Sequence, residues 1–559
     1  MRLKSGHRLR RFLPLLVTLL VVGSFAFGLS VGRYKVFPYR LLKESKGRLS
    51  SLWQSDVGER PSFLITSLVP FQKSVYEDFG ELRLAGWGGG LARVGSSAIG
   101  VDGRGLFYEY HGDGKVSALP ITLETNRSEY QAFLEARGAA GGNASVGERN
   151  FRILDLEAIE KQERVTIIVS YDFWDPARLG KIARVSRLTL DSGLELLRAA
   201  PNVELKGWEV IYETTPFIPF STEPLSPFQS IHSGGRIVSD GSTILVGLGD
   251  RQFDGSRYPD GPQSDSSGYG KVIRIDLTTL QSDVFSIGHR NPQGLLVDRE
   301  GNIWETEHGP QGGDELNLLR EGGNYGWPLE TYGTDHFRYV WPQNRSQGRH
   351  DQYEKPAFAW VPSIAVSNLI QVEGAPRAWD GDLVVSSLKA RSVFRVRIED
   401  RQVRFVEPIP IGERIRDLIQ LADGTILLWT DEAHFVELKV DHEQLQRGQV
   451  QPILLTEAEK AIGLDRIVVS CQQCHRFQEE ASDAGYISLW GVFGRKIAAT
   501  RFEGYSRGLR AKGGRWTEEN LRSFLSDPER FSSGSAMPNP GISDSVAINA
   551  IVSYLERLR

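Results

Sequence analysis

Five short segments of this chain share one pattern: a Gly beside an acidic residue, then an alternating or wholly apolar run. They are residues 102–108, 240–246, 300–304, 380–385 and 423–429. The Gly allows the positive φ that a tight turn requires, and the run after it has the composition of a strand. Together they read as hairpins. Residues 165–171 supply a further strand between the first two. Hairpins recurring at intervals of this order fit the blades of a propeller. The expected architecture is mainly β, a six-bladed β-propeller over residues 61–445. A pair of β-sandwiches is compatible with the same loose repeat. Residues 112–160 fit it least and read as a candidate insertion. The 59 glycines, without helical heptads, favour a turn-rich β protein over a bundle.

At 559 residues the chain is too long for one ordinary domain. Its first residues carry a basic cluster, 1–11, with Arg2, Lys4, Arg8, Arg10 and Arg11. An uncharged apolar run, 12–31, follows and is about as long as a bilayer span requires. No small-residue cleavage site follows Phe27, so an uncleaved transmembrane signal anchor is expected rather than a removed signal peptide. The basic flank would stay in the cytoplasm and the rest would be exported. This places the bulk of the protein in the periplasm, on the bacterial inner membrane. Residues 32–60 have the character of a linker. The net charge of -4 leaves no nucleic-acid footprint.

Residues 446–559 change character. Residues 456–469, a stretch opening at Thr517 and residues 545–558 read as helices, Thr517 facing Asn520 in a variant of the capping box. An all-α domain is expected. The two cysteines of the chain, Cys471 and Cys474, stand in Cys-Gln-Gln-Cys-His, a c-type haem signature ending in His475. Two thiols and an imidazole at this spacing let one helical turn hold a haem by two thioethers and one axial nitrogen. A zinc site would need a second cysteine pair, which the chain lacks. The only methionine besides Met1 is Met537, in Ala-Met-Pro-Asn-Pro, and it is the candidate sixth ligand. His/Met ligation raises the potential and suits electron acceptance. The segment resembles class I cytochromes c from Cys471 through 491–496, 505–506, 516–528 and on to Met537-Pro538.

The richest polar stretch runs from Gly288 to Pro328. It packs glycines among Arg290, Asn291, Gln293, Glu307, His308, Asp314, Glu315 and Asn317. Ligand-binding loops concentrate donors and acceptors around tight turns in this way. The segments 288–294, 307–310, 313–318 and 323–328 resemble the PQQ-dependent aldose sugar (glucose/sorbosone) dehydrogenases, which are six-bladed propellers. Weaker matches flank them at 232–236, 247–251, 270–274, 360–365, 387–389 and 414–417.

The resemblance implies roles residue by residue. His232 would be the base that takes the proton of a sugar's anomeric hydroxyl, and a neutral imidazole suits that task. A satisfied turn histidine is the other reading of the same residue. Arg290, with Asn291 and Gln293 beside it, would polarise the quinone oxygens of PQQ. Lys389, Arg414 and Arg416 would pair with the three carboxylates of that cofactor, although Arg-x-Arg is more often a surface charge pair. Gly309 and Pro310 would offer carbonyl oxygens to Ca²⁺. Asp314 and Glu315 either serve a second Ca²⁺ or cap the loop. The expected activity is that of a membrane-anchored quinohaemoprotein dehydrogenase. It would pass electrons from an aldose through PQQ to haem c and then to a downstream respiratory acceptor. The alternatives are a non-catalytic propeller carrying a haem redox domain, and an enzyme acting on another alcohol or aldehyde.

Overall fold

A computed structural model describes residues 62–442, except 67, 138–146, 192, 196–197, 199–204, 336–339 and 347, and parts of 445–558. The basic flank, the apolar run at 12–31 and the linker lie outside the described residues, as do Cys474 and half of 456–469. No described helix is long and apolar enough to cross a membrane.

Six antiparallel sheets form a closed ring. Blades one to five span residues 89–118, 153–213, 234–287, 292–360 and 366–410. Blade six takes three strands from residues 415–440 and two from far upstream, Pro70–Tyr76 and Ser62–Ile65. Pro70–Tyr76 pairs with Phe435–Val440, from Phe71 against Val440 to Tyr76 against Phe435. The last blade is thus stitched by the first strands, which removes a free edge from the ring.

The Asp-Gly or Glu-Gly turns of blades three to six join the innermost strand to the second, and side chains there cap the loops. Asp240 Oδ1 accepts from the Ser242 and Thr243 amides, and Asp423 Oδ1 from the Thr425 amide. In blade one the Asp102 turn joins the second strand to the third instead. Residues 112–160 are only partly an insertion: Val116–Ala118 closes blade one and Ile153–Lys161 opens blade two. Between them lies helix α1, Arg127–Ala136. Tyr130 and Leu134 of α1 pack with Phe151, Trp174, Phe228 and Tyr269 behind the loop that precedes blade three.

The core is divided among the blade interfaces. A separate apolar cluster fills each of the six junctions between neighbouring blades. Each fully buried Val, Leu, Ile or Phe in them contributes roughly 1.5–3 kcal/mol. The axis of the ring is polar. Arg236 on the inner strand of blade three reaches Asp155 of blade two at 2.6 Å and Asp417 of blade six at 3.1 Å. It also donates to the Gln293 carbonyl of blade four. Asp417 in turn accepts from Asn368 of blade five and from the Leu91 amide of blade one. One arginine and two carboxylates therefore tie all six inner strands together.

The C-terminal region is helical, with α2 at Arg507–Lys512, α3 at Glu518–Ser526, α4 at Pro528–Phe531 and α5 at Ser545–Arg557. The Thr517 hydroxyl accepts from the Asn520 amide, as its sequence position suggests, and Asp544 caps α5. Asn520 does not close a reciprocal box; its amide donates to the Arg515 carbonyl. The region also carries a two-residue parallel pairing, His475–Arg476 against Ile487–Ser488, so its described part is not purely helical.

Candidate active site

Inner strands begin at one end of the ring and run toward the turn end, so the residues just before them converge at the first end. Five of the six inner strands carry a β-bulge near their start. A bulge re-aims side chains locally, which is why bulges gather beside functional sites. The result is a cavity of about 270 Å³ lined by residues from these starts. Trp87 and Gly88 precede blade one, Arg152 blade two, His232 blade three and Asn291 blade four, while Gln293 and Arg416 lie in the opening strands of blades four and six.

His232 is held in the left-handed region at φ 55°. Its carbonyl packs where a Cβ on Gly249 would fall, 1.9 Å away, so only glycine fits at 249. The side chain is locked from both sides. Nδ1 lies 2.9 Å from Asp250 Oδ1, and Arg290 Nη2 lies 2.7 Å from Nε2. A guanidinium only donates, so Nε2 carries the lone pair and Nδ1 the hydrogen. Gln252 places its amide 3.0 Å from the same Nδ1 and can accept from it only through its oxygen. Asp250 is fully buried and accepts a second bond from Trp327 Nε1 at 2.6 Å. Burial lowers the His232 pKa and the Arg290 charge adds to that, against the opposing pull of Asp250. The imidazole is therefore neutral at neutral pH.

Arg290 is buried against Trp327, 5.2 Å from the ring centroid, and donates to the carbonyls of His308 and Gly309 at 3.0 and 2.9 Å. Its backbone N–H donates to Glu307 at 2.5 Å. His308 bonds the Val366 carbonyl, and burial pushes its imidazole down to about 4.

A layer of buried charge stands behind the His232 loop. Asp172, Lys181 and Arg251 are all fully buried. Arg251 lies 2.6 Å from Asp172, at ion-pair distance but not aligned as a hydrogen bond, and Lys181 lies 3.8 Å from it. Ser230, two residues before His232, donates to Asp172 and contacts Lys181. Burial alone would raise Asp172; Arg251 and Lys181 outweigh it and hold the carboxylate low. Burial pushes Lys181 down to about 7 against the pull of Asp172. Sequence reasoning missed this layer. Its members lie in three separate strands and turns, and only an acid inside the apolar run Val165–Trp174 hinted at it.

The structure brings His232, Asn291, Gln293 and Arg416 onto one cavity, with Arg290 directly behind His232. Lys389 is exposed and does not line that cavity. Arg414 and Arg416 share one carboxylate, Asp431. Gly309 borders a small neighbouring cavity with Glu307 and Glu315, and its carbonyl is engaged by Arg290. Asp314 braces a loop. It accepts from the Gly309 and Ala365 amides and from Ser363 Oγ. Glu315 belongs to a buried acidic group with Glu305 and Glu307 around the Asn317 amide. Burial and mutual repulsion raise Glu305 and Glu315 well above ordinary carboxylates. Glu305 Oε1 and Asn317 Oδ1 are buried with no partner among the described residues. His289, Glu305 and Glu307 bring ligand atoms within 4.8 Å of one another. This oxygen-rich, unsatisfied set fits a hard divalent cation.

The C-terminal region holds a cavity of about 440 Å³. Cys471, His475 and Met537 line it together, and the rest of the wall is almost wholly apolar, including Ile467, Val492, Leu509, Trp516, Phe524 and Leu555. A thiol, an imidazole and a thioether around an apolar cavity fit a covalently held haem. Burial lowers the His475 imidazole, which keeps it neutral and able to ligate.

The family profile described as Glucose / Sorbosone dehydrogenase matches residues 153–436. The aldose sugar dehydrogenase YliI of Escherichia coli is 32% identical over 228 residues, 37% of this chain and 60% of that protein. The quinoprotein glucose dehydrogenase B of Acinetobacter calcoaceticus is 27% identical over 235 residues, 30% of this chain and 49% of that protein. The chain thus spans about half to three-fifths of the length of these relatives. A cytochrome c of Ginkgo biloba is 29% identical over 87 residues, 16% of this chain and 77% of that protein.

Proposed function

Because the chain belongs to the glucose/sorbosone dehydrogenase family, we propose that it is a quinohaemoprotein that oxidises an aldose at its anomeric carbon. The observation that carries this reading is the state of His232. Its Nδ1–H is fixed by Asp250, its Nε2 keeps the lone pair and accepts from Arg290 at the edge of a cation-lined cavity, and it is neutral. A scaffold or binding module has no use for a base prepared in this way.

In the reaction, His232 Nε2 takes the proton of the anomeric hydroxyl, and the hydrogen on that carbon leaves with both electrons. For the hydroxyl to reach the lone pair, Arg290 must release its bond to Nε2. Its other amino group stays tied to the His308 and Gly309 carbonyls. The guanidinium therefore remains beside the base, where it stabilises the negative charge that builds as the hydrogen leaves. Asp250 stabilises the imidazolium that results. The Asp172, Lys181 and Arg251 layer keeps Ser230, and with it the His232 loop, in register. When bound, PQQ supplies the two-electron acceptor and haem c the one-electron exit.

The residues suited to PQQ are Asn291, Gln293 and Arg416 on the cavity wall, with Arg414 through the shared Asp431 and Lys389 from the exposed loop. Glu305, Glu307, Glu315 and Asn317, with the Gly309 and Pro310 carbonyls, would be the oxygen ligands for a Ca²⁺. Cys471 and Cys474 would carry the haem, and His475 and Met537 its iron. The apolar run at 12–31 would hold both domains on the periplasmic face of the inner membrane, near a respiratory electron acceptor.

His232→Ala tests the reading. Turnover of every aldose should collapse while PQQ binding and the haem spectrum stay as in the wild type. Unchanged turnover in this variant would refute it.

A further inference from the structure

Four arginines surround the His232 base, and they are not equally balanced. Arg290 is engaged by two carbonyls and by His232. Arg236 is neutralised by Asp155 and Asp417. Arg416 shares Asp431 with Arg414. Arg152 is different. Its Nε donates to the Arg149 carbonyl at 3.0 Å, and its guanidinium makes no other hydrogen bond or ion pair among the described residues. The two carboxylates whose charge acts on it are already committed: Asp172 to Arg251 and Lys181, Asp431 to Arg414 and Arg416.

Arg152 lies half-buried on the wall of the same cavity as Trp87, His232 and Arg416. Arg414 and Arg416 already share the one carboxylate of Asp431. An unpaired, half-buried cation next to a like charge is costly to the fold unless something negative arrives. Burial, with the Arg416 charge adding to it, pulls its pKa down to about 10, so it is still charged at neutral pH.

We propose that Arg152 is a carboxylate-binding residue of the His232 cavity, filled by a carboxylate of the cofactor or of an acidic sugar. A guanidinium offers a planar pair of donors that a carboxylate matches. The inference rests on the dehydrogenase reading for what enters the cavity, not for the imbalance of charge.

The test uses the full chain with haem attached and PQQ removed, as wild type, Arg152→Gln and Arg152→Lys. Equilibrium binding of PQQ is followed by its absorbance, and binding of glucuronate and glucose by calorimetry. Arg152→Gln should weaken one anion about 10- to 100-fold, the range for a charge-assisted hydrogen bond. Arg152→Lys should retain part of the affinity, and glucose should be unaffected. Weakened PQQ assigns the partner as the cofactor. Weakened glucuronate with unchanged PQQ assigns it as an acidic sugar. If the wild type binds either anion and Arg152→Gln binds it within twofold, the proposal is overturned. If the wild type binds neither, it falls as well. Anion binding lost in Arg152→Gln, together with normal turnover in His232→Ala, would leave the Arg152 site standing and remove the dehydrogenase reading.

Discussion

The cavity around His232 and the cavity around His475 are built on opposite principles. The first is walled by arginines and amides and backed by fully buried ion pairs. The second is walled by aliphatic and aromatic side chains, with Arg495 the only permanently charged residue on it among the described residues. Charge needs orientation, so the propeller cavity is wired into position by bonds that cross blades. An apolar sleeve needs only volume and dryness, which helix packing supplies. The lesson is that the propeller site should be brittle toward single polar changes, whereas the C-terminal cavity should tolerate conservative ones.

Four changes press on this contrast. His232→Ala is expected to lower kcat by roughly 10²- to 10⁴-fold, the usual worth of a positioned general base, with the haem band unaltered in a visible spectrum. Asp172→Ala leaves Arg251 and Lys181 buried without their counter-charge. It should cost about 3–5 kcal/mol, read as a fall in the denaturant midpoint of the propeller transition. A milder loss than Leu555→Ala in the other domain would break the contrast.

The third is a pH effect. The folded His308 titrates at about 4, below the ordinary imidazole value. Between roughly 6.5 and 4 the unfolded chain takes up this proton and the folded chain does not. Stability from His308 is therefore complete above 6.5 and falls by about 1.4 kcal/mol per pH unit below it. The buried acids Glu305 and Glu315, raised by burial, act in the opposite sense. The difference between wild type and His308→Gln in denaturant midpoints across pH 4–7 isolates the histidine. The smallest effect on folding belongs to Met537→Leu, which should change stability by less than about 1.5 kcal/mol. It should nevertheless lower the haem midpoint potential in a redox titration, because the thioether ligand is gone.

The sequence carried much of this. Asp-Gly and Glu-Gly turns announced blades three to six because their chemistry is local: Asp240 and Asp423 bond amides two or three residues away. The haem signature and the Thr517 cap were legible for the same reason. What stayed hidden is non-local. Nothing in residues 70–76 says that they pair with 435–440, more than 350 residues later. Arg236, Asp155 and Asp417 alternate along strands like any half-buried polar residue, and only ring closure reveals them as an axial plug. His232, Asn291 and Gln293 were found through a motif. Arg152 was not, because no local pattern marks a residue whose significance is the absence of a partner.

Full-length protein with haem attached would be loaded with PQQ and Ca²⁺, freed of oxygen and mixed with a panel of aldoses while the reduced haem band is recorded. The band should rise with at least one aldose, only when PQQ is present, and stay flat in His232→Ala. A haem that dithionite reduces but that no aldose reduces in the presence of PQQ would contradict the quinohaemoprotein reading.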